Sequence, residues 1–192
     1  HEASLARIAP TFSLPFYTPG EPPFEKGLAA VTALGQVLGR DAEASAVLAQ
    51  CERDLARMRD ALSGFGDRPT YLVNVGDARH VRIFGADSMF GDMLLRLGLP
   101  NAWTDRSRYT FAAPVPIENL AAGEDARIVI VSDIPVEARS DLRQSVIWKS
   151  LPAVQQGRVI KLDNINPYGG ITAGMRFARL LSEALLSAGG KP

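Results

Sequence analysis

Apolar residues recur at three- and four-residue spacing in two neighbouring segments, 24–38 and 42–62, which predicts two amphipathic helices. The apolar positions are Leu28, Val31, Leu34, Val37 and Leu38 in the first segment and Val47, Leu48, Cys51, Leu55, Met58 and Leu62 in the second. Gly39 is a plausible helix end, and Asp41 is a good N-cap for the next helix. The second helix would be about 30 Å long, with a narrow apolar stripe surrounded by charge. This pattern is typical of a helix that bridges two bodies.

From residue 67 onward, strand and helix patterns alternate. Strands are predicted at 70–75, 80–84, 127–131 and 158–162, and helices at 88–97, 117–121, 136–144, 146–155 and 171–187. The alternation predicts an α/β layer architecture with a partly parallel sheet. Ahead of the first helix, segment 11–16 (TFSLPF) lies among prolines and glycines and is interpreted as a short edge strand.

Composition narrows the classes of function. The 192 residues include 21 Lys+Arg and 21 Asp+Glu, and this balance argues against general binding to nucleic acid or to anionic membranes. Cys51 is the single cysteine, which excludes a disulfide framework and multi-cysteine metal sites. No stretch approaches the ~18 consecutive apolar residues of a transmembrane helix. The chain begins at His1 rather than Met, so the absence of a visible signal peptide does not place it in a compartment.

Catalytic motifs are weak. His80 lies beside Asp77 at a strand start, without metal-ligand spacing, so we expect it to stabilise a turn. Cys51 lies on the apolar stripe of its helix and is expected in the core. Gly169 and Gly170 precede the last helix and predict a tight turn. An α/β enzyme that binds phosphate at this turn and uses His80 as a base is the alternative.

Aromatic residues in loops are more informative. Trp103, Tyr109, Phe111 and Tyr168 all lie between predicted elements rather than on core stripes. Ligands of α/β proteins bind outside the carboxyl ends of the strands, in clefts lined largely by apolar and aromatic side chains. These four rings are therefore candidates for contact with a small molecule.

Residues 71–103 resemble the periplasmic ferric-hydroxamate siderophore-binding proteins of ABC importers. The resemblance rests on Asp-x-Arg-His at 77–80, Phe-Gly-x-x-Ser at 84–88 and Gly-Leu-Pro-Asn-Ala-Trp at 98–103. Further matches are LARIAP at 5–10 and WKSLP at 148–152. The resemblance extends over essentially the whole chain and is weaker from 11 to 67.

The resemblance implies a class III periplasmic binding protein, in which two α/β lobes are joined by one long helix. Residues 1–39 would then be a remnant of the N-terminal lobe, 40–66 the inter-lobe helix and 67–192 the C-terminal α/β lobe. We expect the chain to lack most of the N-terminal lobe. The family's arginine and tyrosine that hydrogen-bond the hydroxamate oxygens belong to that lobe, so the expected affinity of this chain for its ligand is poor.

In this family the siderophore lies in a shallow, aromatic-lined groove between the lobes. Trp103 and Tyr168 match groove aromatics of the family. Positions that depart from the pattern are Thr110, Ala112, Asn166 and Pro167. Tyr109 and Phe111 flank Thr110 and are expected to refill the space. The departures leave the identity of the siderophore open.

The implied function is non-enzymatic capture of a ferric hydroxamate siderophore in the periplasm, by a protein that is soluble or lipid-anchored upstream of this chain. The siderophore's hydroxamate oxygens hold the iron, so no protein cofactor is expected. An ABC permease in the inner membrane is the implied partner, and Glu118 and Glu2 are the expected docking residues. The alternative cargoes are a catecholate or citrate siderophore, haem or cobalamin. The chain would also self-associate if the surface that the absent lobe should cover is exposed.

Overall fold

The computed structural model describes residues 2–15, 17–18, 20–105 and 114–189. Its α-helices are α1 (Glu2–Leu5), α2 (Pro23–Leu38), α3 (Asp41–Ala61), α4 (Met89–Arg96), α5 (Val136–Gln144), α6 (Val146–Ser150), α7 (Pro152–Gln155) and α8 (Gly170–Gly189). Short 3-10 helices occupy Ser63–Phe65 and Ile117–Ala122. The helix predicted at 146–155 is divided into α6 and α7, because Leu151 is extended (φ −62°, ψ 130°) before Pro152, as the proline ring requires.

The strands form one mixed sheet. They are β1 (Thr70–Val75), β2 (His80–Ile83), β3 (Val115–Pro116), β4 (Arg127–Ile130) and β5 (Val159–Lys161), in the spatial order β3-β2-β1-β4-β5. β1, β4 and β5 run parallel, with Leu72 opposite Val129 and Val129 opposite Ile160. β2 pairs antiparallel with both β1 and β3. The four predicted strands and the partly parallel sheet are confirmed.

The strand predicted at 11–16 is wrong. Residues 11–15 form no strand, and most of them are exposed. The prolines at both ends of this stretch, Pro10 and Pro15, have no N–H to donate to a ladder. The edges of the sheet are formed by β3 and β5 instead.

Side chains alternate along the strands between two hydrophobic clusters, so the fold has three layers. Leu72 belongs to the first cluster, which α4 and α8 cover and which includes Phe90 and Phe177. Tyr71 and Val73 belong to the second cluster, on the opposite face of the sheet. The 3-10 helix Ile117–Ala122 and helices α5 to α7 cover that face, as expected for a sheet buried on both sides.

α2 is anchored to the first layer of helices. Phe24 is buried in the first cluster, and its backbone N–H donates to Asp92 Oδ2 at 2.9 Å. Asp92 also accepts from Arg96 Nε at 2.8 Å, and the Arg96 guanidinium lies 4.8 Å from the centre of the Phe24 ring. A buried carboxylate on α4 thus satisfies a backbone donor in the first turn of α2.

Among the described elements, α3 packs chiefly against α2 and α8. None of its residues is fully buried, although Leu55 and Met58 pack against the first cluster. The expectation that Cys51 lies in the core is therefore wrong. Its side chain is half-buried and lines a groove of about 600 Å³ between α2 and α3, and burial and Asp54 raise the pKa of its thiol.

Candidate functional site

The loop that leads from β5 into α8 lies beyond the carboxyl end of a parallel strand, the edge at which α/β proteins bind ligands. Asn166 organises this loop, since its side-chain oxygen accepts the Tyr168 N–H at 2.9 Å and its carbonyl accepts the Gly169 N–H at 3.2 Å. Gly170 has a φ of +62°, and a Cβ at Gly169 would lie 2.7 Å from Ala173 Cβ. Both glycines are required, and the predicted tight turn is confirmed.

Tyr168 projects from this turn and meets Tyr17, and we name these two residues the aromatic corner. Their rings are edge-to-face, with centroids 5.4 Å apart and planes at 90°. Tyr168 is 48% exposed, whereas Tyr17 is half-buried against the first cluster. Burial raises the pKa of the Tyr17 hydroxyl, a backbone hydrogen bond from Gly170 lowers it, and Tyr168 raises it further.

Trp103 lies in the segment that follows α4. The segment that carries it returns from α4 beside the start of β1, where Asn101 bridges to Thr70. Asn101 donates to the Phe84 carbonyl at 3.0 Å and accepts the Trp103 N–H at 2.9 Å. The indole packs against the second cluster, and its Nε1 is buried with no hydrogen-bond partner among the described residues. Trp103 also lines a cleft of about 510 Å³.

The predicted ligand-binding rings pack against different parts of the core. Tyr168 contacts Tyr17, which packs on the first cluster, whereas Trp103 packs on the second. Tyr109 and Phe111 lie outside the described residues. Sequence reasoning missed Tyr17, because a single tyrosine in a proline-rich segment carries no local signal of a partner 150 residues away.

The remaining candidates lie on the surface. Glu118 is exposed in the first turn of the 3-10 helix Ile117–Ala122. Glu2 begins α1, and its side chain lies outside what the structure describes. The Asp77 carboxylate accepts the N–H groups of Arg79 at 2.7 Å and His80 at 2.8 Å. His80, the first residue of β2, therefore helps to close the turn before that strand, as predicted, and these hydrogen bonds lower the pKa of Asp77.

Among the residues that the structure describes, no group of three or more His, Cys, Asp or Glu side chains could hold a metal ion. The described helices also include none with the length and apolar content needed to cross a membrane.

The mixed sheet between two layers of helices matches the fold of class III periplasmic binding proteins. Residues 2–165 match the family model described as "Periplasmic binding protein", and the chain belongs to this family. It is 30% identical over 187 residues to the iron(3+)-hydroxamate-binding protein FhuD of Escherichia coli, a match that covers 97% of this chain and 62% of that relative. The chain therefore spans less than two thirds of that protein's length.

Solved structures share the fold. A siderophore-binding protein FhuD from Vibrio cholerae, bound to Fe3+-Desferal, superposes with a TM-score of 0.86 at 22% identity, covering 97% of this chain and 70% of that one. The triscatecholate siderophore-binding protein FeuA from Bacillus subtilis, complexed with ferri-bacillibactin, has a TM-score of 0.72 at 17% identity, covering 97% and 66%. The fold therefore occurs in proteins described with chemically different siderophores.

Proposed function

We propose that this chain is part of the substrate-binding component of an ABC importer, which captures a ferric hydroxamate siderophore in the periplasm and delivers it to the membrane permease. The observation that carries the proposal is the 30% identity to an iron(3+)-hydroxamate-binding protein across 97% of the chain. The Desferal-bound structure from Vibrio cholerae supports the same class of ligand.

The chemistry of the aromatic corner suits a ferric hydroxamate siderophore. Ferric iron prefers hard oxygen ligands, which the hydroxamate groups supply, so the protein has only to hold the outside of the chelate. Aromatic faces contact the apolar parts of the chelate, and hydroxyl groups can hydrogen-bond its oxygens. Tyr168 offers a half-exposed ring with a hydroxyl for this purpose, and Trp103 remains a proposed second contact.

A second cargo class is supported by one specific observation, the structural likeness to a protein complexed with ferri-bacillibactin. A catecholate siderophore is therefore the second candidate, and citrate siderophores, haem and cobalamin are to be tested in parallel with it. These ligands differ from hydroxamates in charge and shape, so direct competition separates them.

Tryptophan fluorescence tests the proposal, because the chain contains only Trp103 and Trp148. The Trp148→Phe variant leaves Trp103 as reporter, and Trp103→Phe is the matched control. We expect ferrioxamine B to quench the Trp103 reporter saturably, beyond the absorption measured with free tryptophan. If only a catecholate siderophore, a citrate siderophore, haem or cobalamin binds saturably, that ligand and not a hydroxamate siderophore is the cargo. Absence of binding to every ligand, at concentrations high enough to detect the weak affinity expected of this chain, would contradict the binding function.

Permease docking is proposed at Glu118 and Glu2 through arginine side chains of the membrane protein. The Glu118→Lys variant reverses one charge, and Glu124→Lys reverses another exposed charge nearby as a control. We expect Glu118→Lys to weaken binding to the permease in lipid nanodiscs by at least about tenfold, since like charges at an interface repel. Equal effects of the two variants would contradict docking at Glu118.

A further inference from the structure

One hydroxyl group contacts the loop that presents Tyr168, directly ahead of that residue. The Tyr17 hydroxyl donates to the Pro167 carbonyl oxygen at 3.1 Å. Pro167 directly precedes Tyr168 in sequence, and α8 begins two residues after Tyr168, at Gly170. The segment ahead of α2 is thereby tied to the turn ahead of α8.

The ring of Tyr17 adds a second constraint. Its edge-to-face contact with Tyr168 is a geometry that aromatic pairs prefer. Tyr168 nevertheless keeps 48% of its surface exposed. An exposed ring that is already held in one orientation loses less conformational freedom when a ligand binds, and this raises affinity without any new contact.

We propose that Tyr17 is a positioning residue of the siderophore site, which orients Tyr168 for contact with the ligand. This inference rests on the proposed function and deepens it. The contacts of Asn166 fix the internal shape of the turn, whereas Tyr17 fixes the turn relative to the segment ahead of α2. The position of that segment is thus coupled to the affinity of the site.

Two substitutions separate the hydroxyl from the ring. Tyr17→Phe removes the hydrogen bond to Pro167 and keeps the ring, and Tyr17→Leu removes both the hydroxyl and the ring. Tyr71→Phe is the matched control, because it removes the hydroxyl of a tyrosine that packs in the second cluster. We expect ferrioxamine B to bind about three- to tenfold more weakly to Tyr17→Phe. Binding should weaken further in Tyr17→Leu and stay unchanged in Tyr71→Phe.

Ligand-free NMR gives a readout that does not depend on the cargo. With ring-labelled tyrosine, the four tyrosines of the chain can be assigned by single substitution. We expect Tyr17→Phe to shift the Tyr168 ring signal and the Tyr168 amide signal, because the lost hydrogen bond held the residue directly ahead of Tyr168. Tyr71→Phe should leave both signals in place.

The two measurements distinguish failure of this inference from failure of the proposed function. If the wild-type chain binds no siderophore, the proposed function fails, and the NMR signals alone decide whether Tyr17 orients Tyr168. If the wild type binds but Tyr17→Phe has unchanged affinity, the role of Tyr17 in the site is overturned. Unchanged Tyr168 ring and amide signals in Tyr17→Phe would overturn the orienting role itself.

Discussion

Gly91 allows the first turn of α4 to approach the loop before it. A Cβ at this position would lie 1.9 Å from the Gly85 carbonyl oxygen and 3.1 Å from the Ala86 nitrogen. Both neighbours are backbone atoms, so no side-chain rotation can relieve the overlap. A glycine within a helix usually destabilises it relative to alanine, and here the close approach reverses that preference.

We therefore predict that Gly91→Ala lowers the free energy of unfolding by about 2–3 kcal/mol or more, as measured by urea denaturation. Gly76→Ala is the control, because a Cβ there meets no atom within 4 Å, and its effect should stay within about 0.5 kcal/mol. A stabilised Gly91→Ala protein would show that α4 can move away from the loop at little cost.

Asp77 makes a pH-dependent contribution to the stability of the folded chain. Its pKa is lower in the folded chain than its ordinary value, chiefly because the Arg79 N–H donates to the ionised carboxylate, with further lowering by the N–H of His80. The stabilisation is therefore fully present above the ordinary aspartate range near pH ~3.9 and is lost as pH falls through the lower, folded-state value.

We predict that Asp77→Ala lowers the free energy of unfolding by about 0.5–1.5 kcal/mol at pH 7. This difference from the wild type should shrink as pH falls below about 4. Urea denaturation of both proteins at neutral and acidic pH measures it. A difference that grows as the pH is lowered would have the wrong sign for this explanation.

At the scale of elements, α2 depends on Phe24 for its attachment. Phe24 is 1% exposed in the first cluster, and the Asp92 carboxylate holds its backbone N–H. We predict that Phe24→Ala lowers the free energy of unfolding by about 3–5 kcal/mol, whereas Val37→Ala, at a position 65% exposed on the same helix, costs about 0.5 kcal/mol or less. Equal losses in chemical denaturation would mean that α2 is not held through Phe24.

Elements with a strong local pattern could be predicted from the sequence. The continuous β-branched run of β4 and the periodic stripe of α2 depend on neighbours a few positions apart, and both were predicted within one residue. β3 has only two residues, which is too short to show alternation. The fold class follows from the order of such elements, so it could also be predicted from the sequence.

The candidate site could be predicted less completely from the sequence, because its contacts join residues that are far apart along the chain. Loop aromatics such as Tyr168 are visible in the sequence, but the partner of Tyr168 is set by packing of the whole chain. Tyr17 and Pro167 meet across 150 positions, and no periodicity records such a contact. The same reason explains Cys51, whose position on an apolar stripe predicts burial although no residue of α3 is fully buried.

At the scale of the whole molecule, an apolar surface lies where α2 ends and α3 begins. Leu34, Val37, Leu38 and Val47 are each at least 42% exposed, and the two helices approach closely where Gly35 faces Ala44. We predict concentration-dependent self-association through this surface, detectable by sedimentation velocity.

The Val37→Ser/Leu38→Ser variant should remain monomeric at concentrations at which the wild type associates. Val146→Ser, which changes another exposed valine, should associate like the wild type. A wild-type chain that is strictly monomeric at every concentration would contradict the prediction.

The contact between Tyr17 and Pro167 also has a consequence for how the chain folds during synthesis. Tyr17 leaves the ribosome long before residues 167–170 are synthesised, so the aromatic corner cannot close until those residues have emerged. Contacts between distant residues carry a loop-closure cost and slow folding. The β1–β2 hairpin, whose strands are joined by four residues, can form well before then, whereas the edge proposed to hold the cargo is completed only after residues 167–170 have left the ribosome.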